Sequence, residues 1–272
     1  MRRAAATAKL NLALVVGPRR DDGRHEVATV LQRIDLADRV SIEPAPALRV
    51  DGFAEDTLVR RALEALAEAA DVEPRWRARI SKKVPVAAGL GGGSSDAATA
   101  LRLANATLAE PLAAGRLAEL ATELGADVPF FLAQGPQLGE GIGSDLTALD
   151  LPQDYWVVLV LANSASKDST AAVYAGFDVR NGERGYDERR AALSEALREV
   201  RRPRDLAGLP ANDLASSPVA DELAALGAFR ADVSGAGPVV YGLFHHREPA
   251  AAAQRALRSR GRTWITVPTW YG

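Results

Sequence analysis

From Ala8 to Val16 the residues alternate, which predicts a strand with Leu10, Leu12, Leu14 and Val16 on one face and Lys9, Asn11, Ala13 and Val15 on the other. Lys9 and Asn11 then project side by side. A polar turn from Arg19 to His25 follows, with Asp22-Gly23 as its hairpin signal. Val27 to Leu36 and Arg39 to Glu43 resume strand-like composition. Asp56 to Ala70 has helical period, with Leu58, Ala62, Leu66 and Ala69 on one stripe and Asp56 as a possible cap. Arg75 to Ile80 alternates again, so Trp76, Ala78 and Ile80 point inward and the three arginines form a solvated face. Next come a glycine-rich loop and an Ala/Leu-rich helical run that reaches Asn105. A second helix covers Leu117 to Leu124, with Gly125 as its C′ residue.

The second half starts afresh. Gly135 to Gly143 reads as a glycine-rich loop, and beyond Pro152 the apolar run Trp156 to Leu161 has the length of a buried strand. A helix starts at Ser169-Thr170 and contains Tyr174. Further helices are predicted over Arg190 to Arg201, Val219 to Leu226 and Ala250 to Arg258, and strands over Val239 to Phe244 and Trp264 to Val267. The pattern gives an α+β chain whose boundary falls at the Pro152 turn, dividing it into residues 1–152 and 153–272.

Composition narrows the function classes. The 272 residues, 47% hydrophobic and 25% charged, can bury a real core in one large domain or two modest ones. A net charge of −2 offers no electrostatic footprint for nucleic acid or an anionic membrane. No cysteine is present, so disulfides, thiolate catalysis and cysteine-based metal sites are excluded. Neither an uninterrupted signal-peptide core nor a run of roughly 18 apolar residues occurs. A soluble, cytoplasmic protein is the expectation.

The candidate chemistry centres on Pro85-Val86-Ala87-Ala88-Gly89-Leu90-Gly91-Gly92-Gly93-Ser94-Ser95-Asp96. Four glycines in five positions let a backbone come close to a ligand, and a helix start adds unpaired N–H groups. Strand, glycine loop and helix in that order make an anion site suited to nucleotide phosphates. No Lys follows Gly93, so the loop is not a Walker A, and its spacing is not G-x-G-x-x-G. Asp127, just before Pro129-Phe130-Phe131, either caps a short helix or orients or deprotonates a hydroxyl. Asp232 to Pro238 is a third glycine loop. His25 closes a turn, and its context must decide its role.

Taken in order, Lys9-Leu10-Asn11-Leu12, Pro85 to Ala98 and Val233-Ser234-Gly235-Ala236-Gly237-Pro238 resemble the three motifs of the galactokinase, homoserine kinase, mevalonate kinase and phosphomevalonate kinase superfamily. Asp22-Gly23-Arg24-His25, Gly125-Ala126-Asp127-Val128-Pro129-Phe130-Phe131 and Ala211-Asn212-Asp213-Leu214 bring the chain nearest to the 4-diphosphocytidyl-2-C-methyl-D-erythritol kinases within it. The resemblance implies a ribosomal-protein-S5-like nucleotide-binding half, a ferredoxin-like C-terminal half and an active site in the cleft between them. It also implies ATP as co-substrate with Mg²⁺ accompanying the nucleotide, and a cytidine diphosphate methylerythritol as the small-molecule acceptor. Residues 85 to 95 would hold ATP. Asp127 would orient or deprotonate the acceptor hydroxyl, and Lys9 would stabilise the developing alkoxide. Asn11 and His25 would contact the acceptor, with Tyr174 a weaker candidate for stacking on cytosine. Arg24 stands where the family has Tyr, and its guanidinium plane can stack in that ring's place. Thr57-Leu58 replaces the family's Asn-Leu. Asn212 is expected to support the fold, and a monomer or weak homodimer is expected. Another small-alcohol kinase is the alternative within the superfamily. A non-catalytic nucleotide binder is the alternative outside it, but a binder has no need of an acid–lysine pair.

Overall fold

A computed structural model describes residues 1–53, 58–163 and 169–269. The predicted cap Asp56 and the family position Thr57 lie outside these. The first strand is longer than its alternating segment: β1 runs Arg2–Arg19 and pairs antiparallel with β2, His25–Pro44, across the Asp22-Gly23 turn. The two stretches predicted on either side of Ala37-Asp38 are thus one strand. Strands β3 (Arg49–Asp51), β4 (Trp76–Ser81), β5 (Gln137–Glu140) and β6 (Asp145–Ala148) complete a six-stranded sheet ordered β3-β4-β2-β5-β6, with β1 on β2. The Gly135 to Gly143 stretch, expected to be a loop, therefore contributes a hairpin, and Gly141 and Gly143 take the positive φ values that its turn requires.

The strict alternation predicted from Ala8 to Val16 fails at one residue. Asn11 pairs with Leu31 and Ala13 with Val30, so Leu12 is an extra residue and the faces exchange beyond it. Leu10 and Leu12 share a core with Ala13 and Val15. Leu14 and Val16 instead join Val27, Phe177 and Leu214 on the side that carries Lys9 and Asn11. The carbonyl of Leu12 accepts the hydroxyl of the fully buried Tyr241 at 3.2 Å, so the bulge leaves no orphan acceptor there.

Helices α1 (Leu58–Ala69), α2 (Gly92–Asn105) and α3 (Ala114–Leu124) cover one face of this sheet. Their predicted stripes supply Ala62, Leu66, Leu120, Ala121 and Leu124 to a core that also holds Trp76, Ala78 and Ile80. Gly125 ends α3 with extended backbone rather than the left-handed turn its type suggests.

The second half is built on β7 (Trp156–Ala162), β8 (Arg230–Val233), β9 (Val240–Phe244) and β10 (Gly261–Thr266), ordered β10-β7-β9-β8 and antiparallel throughout. Helices α4 (Thr170–Val179), α5 (Tyr186–Glu199) and α6 (Pro218–Ala225) lie between β7 and β8, and α7 (Arg247–Ala256) lies between β9 and β10. This is the expected ferredoxin-like arrangement. Val157, Leu159, Tyr241 and Leu243 belong to the same buried cluster as Leu10, Leu12, Val30 and Ile34, so the two sheets share one core. Among the described residues no helix is long and apolar enough to cross a membrane.

Candidate active site

Helix α2 starts at Gly92, and Gly91, in the left-handed conformation, is its N-cap with no side-chain bond. The serines therefore lie inside the first turns rather than ahead of them. The Ser95 N–H donates to the Gly91 carbonyl at 2.9 Å, leaving the N–H groups of Gly92, Gly93 and Ser94 without intrahelical acceptors. These groups open on a cavity of about 250 Å³ whose wall runs from Pro85 to Ser94 and includes Lys82 and Phe53. Ser95 is buried and stays off that wall.

A larger cleft of about 610 Å³ lies on the other side of the loop. The two cavities share Ala87, Gly89, Gly91 and Ser94, so a molecule in one meets a molecule in the other across the glycines. Lys9, Asn11, Asp127 and Tyr174 line the larger cleft, with Gly235, Ala236 and Gly237 opposite. Positions 9 and 127, far apart in sequence, meet here: Lys9 Nζ stands 3.6 Å from Asp127 Oδ2, the lysine buried and the carboxylate 41% exposed. Lys9 also donates to Asn11 Oδ1, Asn11 Nδ2 donates to Thr29 Oγ1 at 2.8 Å, and Thr29 donates to the Ala13 carbonyl at 2.8 Å. This chain of hydrogen bonds fixes the lysine head through the bulged strand. Asp127 makes no cap bond to the short helix Pro129–Phe131, so its structural reading lapses.

The third glycine loop closes the site. Ser234 Oγ donates to the Gly89 carbonyl at 3.0 Å and accepts the Asn11 N–H at 3.3 Å. Asn212 Nδ2 holds the carbonyls of Val233 and Gly235 at 2.9 and 2.6 Å, the supporting part expected of it. His25 and Tyr174 come together, with ring centroids 4.8 Å apart, and His25 Nε2 is 2.7 Å from Asp178 Oδ1. His25 is buried behind Tyr174, whereas Tyr174 faces the cleft. Burial, with a smaller contribution from the Asp127 charge, pushes the Tyr174 hydroxyl up to about 12. Arg24 sits on the exposed hairpin turn, its N–H bonded to Asp22.

The chain has recognisable relatives. The chain matches the family described as GHMP kinases N terminal domain over residues 57–135 and that described as GHMP kinases C terminal over residues 206–263. It is 38% identical to the 4-diphosphocytidyl-2-C-methyl-D-erythritol kinase of Geobacter sulfurreducens, with 96% of each chain covered. It is 40% identical to the one from Anaeromyxobacter dehalogenans, covering 94% of this chain and 85% of that one. The chain belongs to this kinase family. A crystal structure of 4-(cytidine 5'-diphospho)-2C-methyl-D-erythritol kinase superposes with a TM-score of 0.79 at 32% identity, covering 98% of this chain and 99% of that one. A mevalonate kinase structure, at TM-score 0.74 and 14% identity, shares the fold over 98% of this chain and 99% of its own.

Sequence reasoning passed over a buried network beneath the glycine loop. Lys82 Nζ bonds Asp38 Oδ2 and Asp96 Oδ2 at 2.5 and 2.7 Å, and Asp38 Oδ1 accepts the N–H groups of Lys83 and Val84. Burial acts to lower the pKa of Lys82, but the bonds and charges of Asp38 and Asp96 outweigh it and hold the amine above its ordinary value. The available signal was Asp38 itself, one of two acids with Asp35 in the middle of a long strand.

Proposed function

We propose that this protein transfers the γ-phosphoryl group of ATP to the 2-hydroxyl of 4-diphosphocytidyl-2-C-methyl-D-erythritol, the phosphorylation step of the non-mevalonate isoprenoid precursor route. The observation that carries the reading is the Lys9–Asp127 pair in the larger cleft, beside the loop that both cavities share. In this reading the nucleotide occupies the smaller cavity, with its phosphates on the N–H groups of Gly92, Gly93 and Ser94 and on the positive end of α2. The acceptor occupies the larger cleft with its hydroxyl at Asp127. As the hydroxyl oxygen bonds to the γ-phosphorus, the bond to the β-phosphate oxygen breaks and ADP leaves. An Asp127 oxygen takes the proton, and the Lys9 ammonium offsets charge on the alkoxide. Asn11 orients Lys9 and meets the acceptor, while Tyr174, backed by His25 and Asp178, offers the ring for the cytosine.

Mg²⁺ fits this site only as a companion of the phosphates. Among the described residues no group of three His, Asp or Glu can hold a metal ion, and Asp38 and Asp96 are already engaged by Lys82. Mg²⁺ commonly keeps several waters and takes one or two protein ligands, so the Ser94 hydroxyl on the shared wall is the group that suits it. When bound, the ion would neutralise phosphate charge. We place the enzyme in the cytoplasm as a monomer or weak homodimer, with the boundary between its halves at residue 152.

The test is an acceptor panel: ATP with the cytidine diphosphate substrate, homoserine or mevalonate, and ADP release as the readout. ADP release with the cytidine compound alone is expected. Turnover only with homoserine or mevalonate overturns the acceptor assignment, and ATP binding without any transfer overturns the kinase reading.

A further inference from the structure

We infer that Arg33 is the positioning residue that sets the Asp127 carboxylate against Lys9, an inference that rests on the reading of Asp127 given above. Arg33 lies on β2 and is 3% exposed. Its Nη2 donates to the carbonyls of Phe130 and Ala133 at 2.7 and 2.6 Å. Of those two carbonyls, that of Phe130 lies within the short turn that begins directly after Asp127, and that of Ala133 lies beyond its end. Within the turn, Phe131 N–H bonds the Val128 carbonyl and the Leu132 and Ala133 N–H groups both bond Pro129, which leaves the Phe130 and Ala133 carbonyls to the guanidinium. The same plane lies 5.2 Å from the Phe130 ring centroid and 5.7 Å from that of Phe131.

Nothing about packing alone calls for a cation here. Among the described residues Arg33 bonds only carbonyls, its Nε has no partner, and the charge that bears on it is the like-charged Arg102. A buried charge with no acid partner is costly, and an apolar side chain of similar volume would fill the space more cheaply. What an apolar side chain cannot do is donate to two carbonyls through one terminal nitrogen while its cation lies within cation–π distance of two rings.

The guanidinium's neighbour Phe131 reaches the site from the other side. A Cβ placed on Gly91 would lie 2.9 Å from the Phe131 ring and 3.0 Å from Lys9 Cγ. The Phe131 ring is thus wedged between the Arg33 plane and the pair formed by Gly91 and the lysine stem. One guanidinium thereby fixes the backbone that follows Asp127 and the ring that lies with the Lys9 stem against Gly91, and so sets the 3.6 Å separation between Lys9 and Asp127.

The test compares wild type, Arg33→Ala and Arg33→Lys at saturating ATP and cytidine substrate, with active sites counted by nucleotide bound per chain. Arg33→Ala is expected to lose about 10-fold or more in kcat per nucleotide-binding site while the KM for ATP stays within about threefold, because misplacement of a reacting group acts on the chemical step. Added ethylguanidinium should restore part of that kcat. Arg33→Lys should fall between, since an ammonium keeps the charge and can donate to carbonyls but is shorter and lacks the planar group beside the two rings. If Arg33→Ala does not fold, Arg33→Lys decides on the same criterion. A kcat per binding site within about twofold of wild type contradicts the inference, because misplacement by even 1 Å is costly. So does a loss that merely tracks the fraction of chains binding nucleotide, or one that ethylguanidinium leaves untouched. If wild type transfers phosphate and the Arg33 variants match it, this inference alone fails; if wild type transfers none, the functional reading fails and takes the inference with it.

Discussion

Gly91 is where the glycine loop lies against both the Lys9 stem and the Phe131 ring of the turn after Asp127, so Gly91→Ala probes all three. Two costs can be worked from its geometry. Its φ is +67°, and placing an L side chain in the left-handed region costs about 1–2 kcal/mol. At about 2–4 °C per kcal/mol, Tm should drop by roughly 2–8 °C. The new methyl would also lie 2.9 Å from the Phe131 ring and 3.0 Å from Lys9 Cγ. Carbon atoms in contact prefer about 3.5–4.0 Å, so the ring or the lysine stem must yield by roughly 0.6 Å. A 1 Å misplacement can cost ~10²-fold, so a loss on the order of 10-fold in kcat is expected. The control is Gly115→Ala in α3, where a Cβ meets nothing within 4 Å and no left-handed backbone is involved. There the gain in helix propensity is about 0.5–1 kcal/mol, and kcat should not move. Thermal unfolding and steady-state ADP release on both variants provide the readout. If Gly91→Ala keeps wild-type kcat and Tm, or if Gly115→Ala loses as much as Gly91→Ala, the steric account of the loop is wrong.

Two further outcomes follow from the same geometry. Ser234→Ala removes the link between the Gly89 carbonyl and the Asn11 N–H, and should cost about 1–3 kcal/mol in urea unfolding together with a drop in kcat; unchanged values for both would show that the third loop does not brace the site. Tyr174 and Tyr241 are both held up to about 12 by burial, against 10.0 in the unfolded chain. The folded state keeps those protons longer, so this stability is complete below pH 10 and is lost as pH climbs toward 12. Urea midpoints should fall over that window and fall less steeply in Tyr241→Phe; a flat profile would contradict the assignment.

Much of this was legible locally. The amphipathic stripes of α1 and α3, the inward Trp76, Ala78 and Ile80, and the Asp22-Gly23 hairpin depend on neighbours within a few residues, and each appeared where its pattern placed it. The bulge at Leu12 was not legible, because nothing in an alternating run marks which residue will go unpaired. It is the partner strand and the Tyr241 hydroxyl that fix it. The hairpin of β5 and β6 hid behind its glycines, whose turn conformation looked like the whole segment. The glycine loop, Lys9 and Asp127 were readable as chemistry. The groups that hold them, Arg33, Asp38, Thr29 and Ser234, act across 16 to 223 residues of chain, beyond any periodicity.

The central claim is that Asp127 and Lys9 act on the acceptor hydroxyl while the glycine loop holds the nucleotide. Its most direct test is phosphorus-31 NMR of ATP and the cytidine substrate with wild type, Asp127→Asn and Lys9→Ala, alongside calorimetric titration of ATP into each. Loss of the catalytic proton acceptor typically costs about 10²–10⁴-fold in rate. Wild type should give a new phosphomonoester resonance in step with ADP, and both variants should form little of it while binding ATP as tightly as wild type. Near wild-type product formation by either variant would contradict the account.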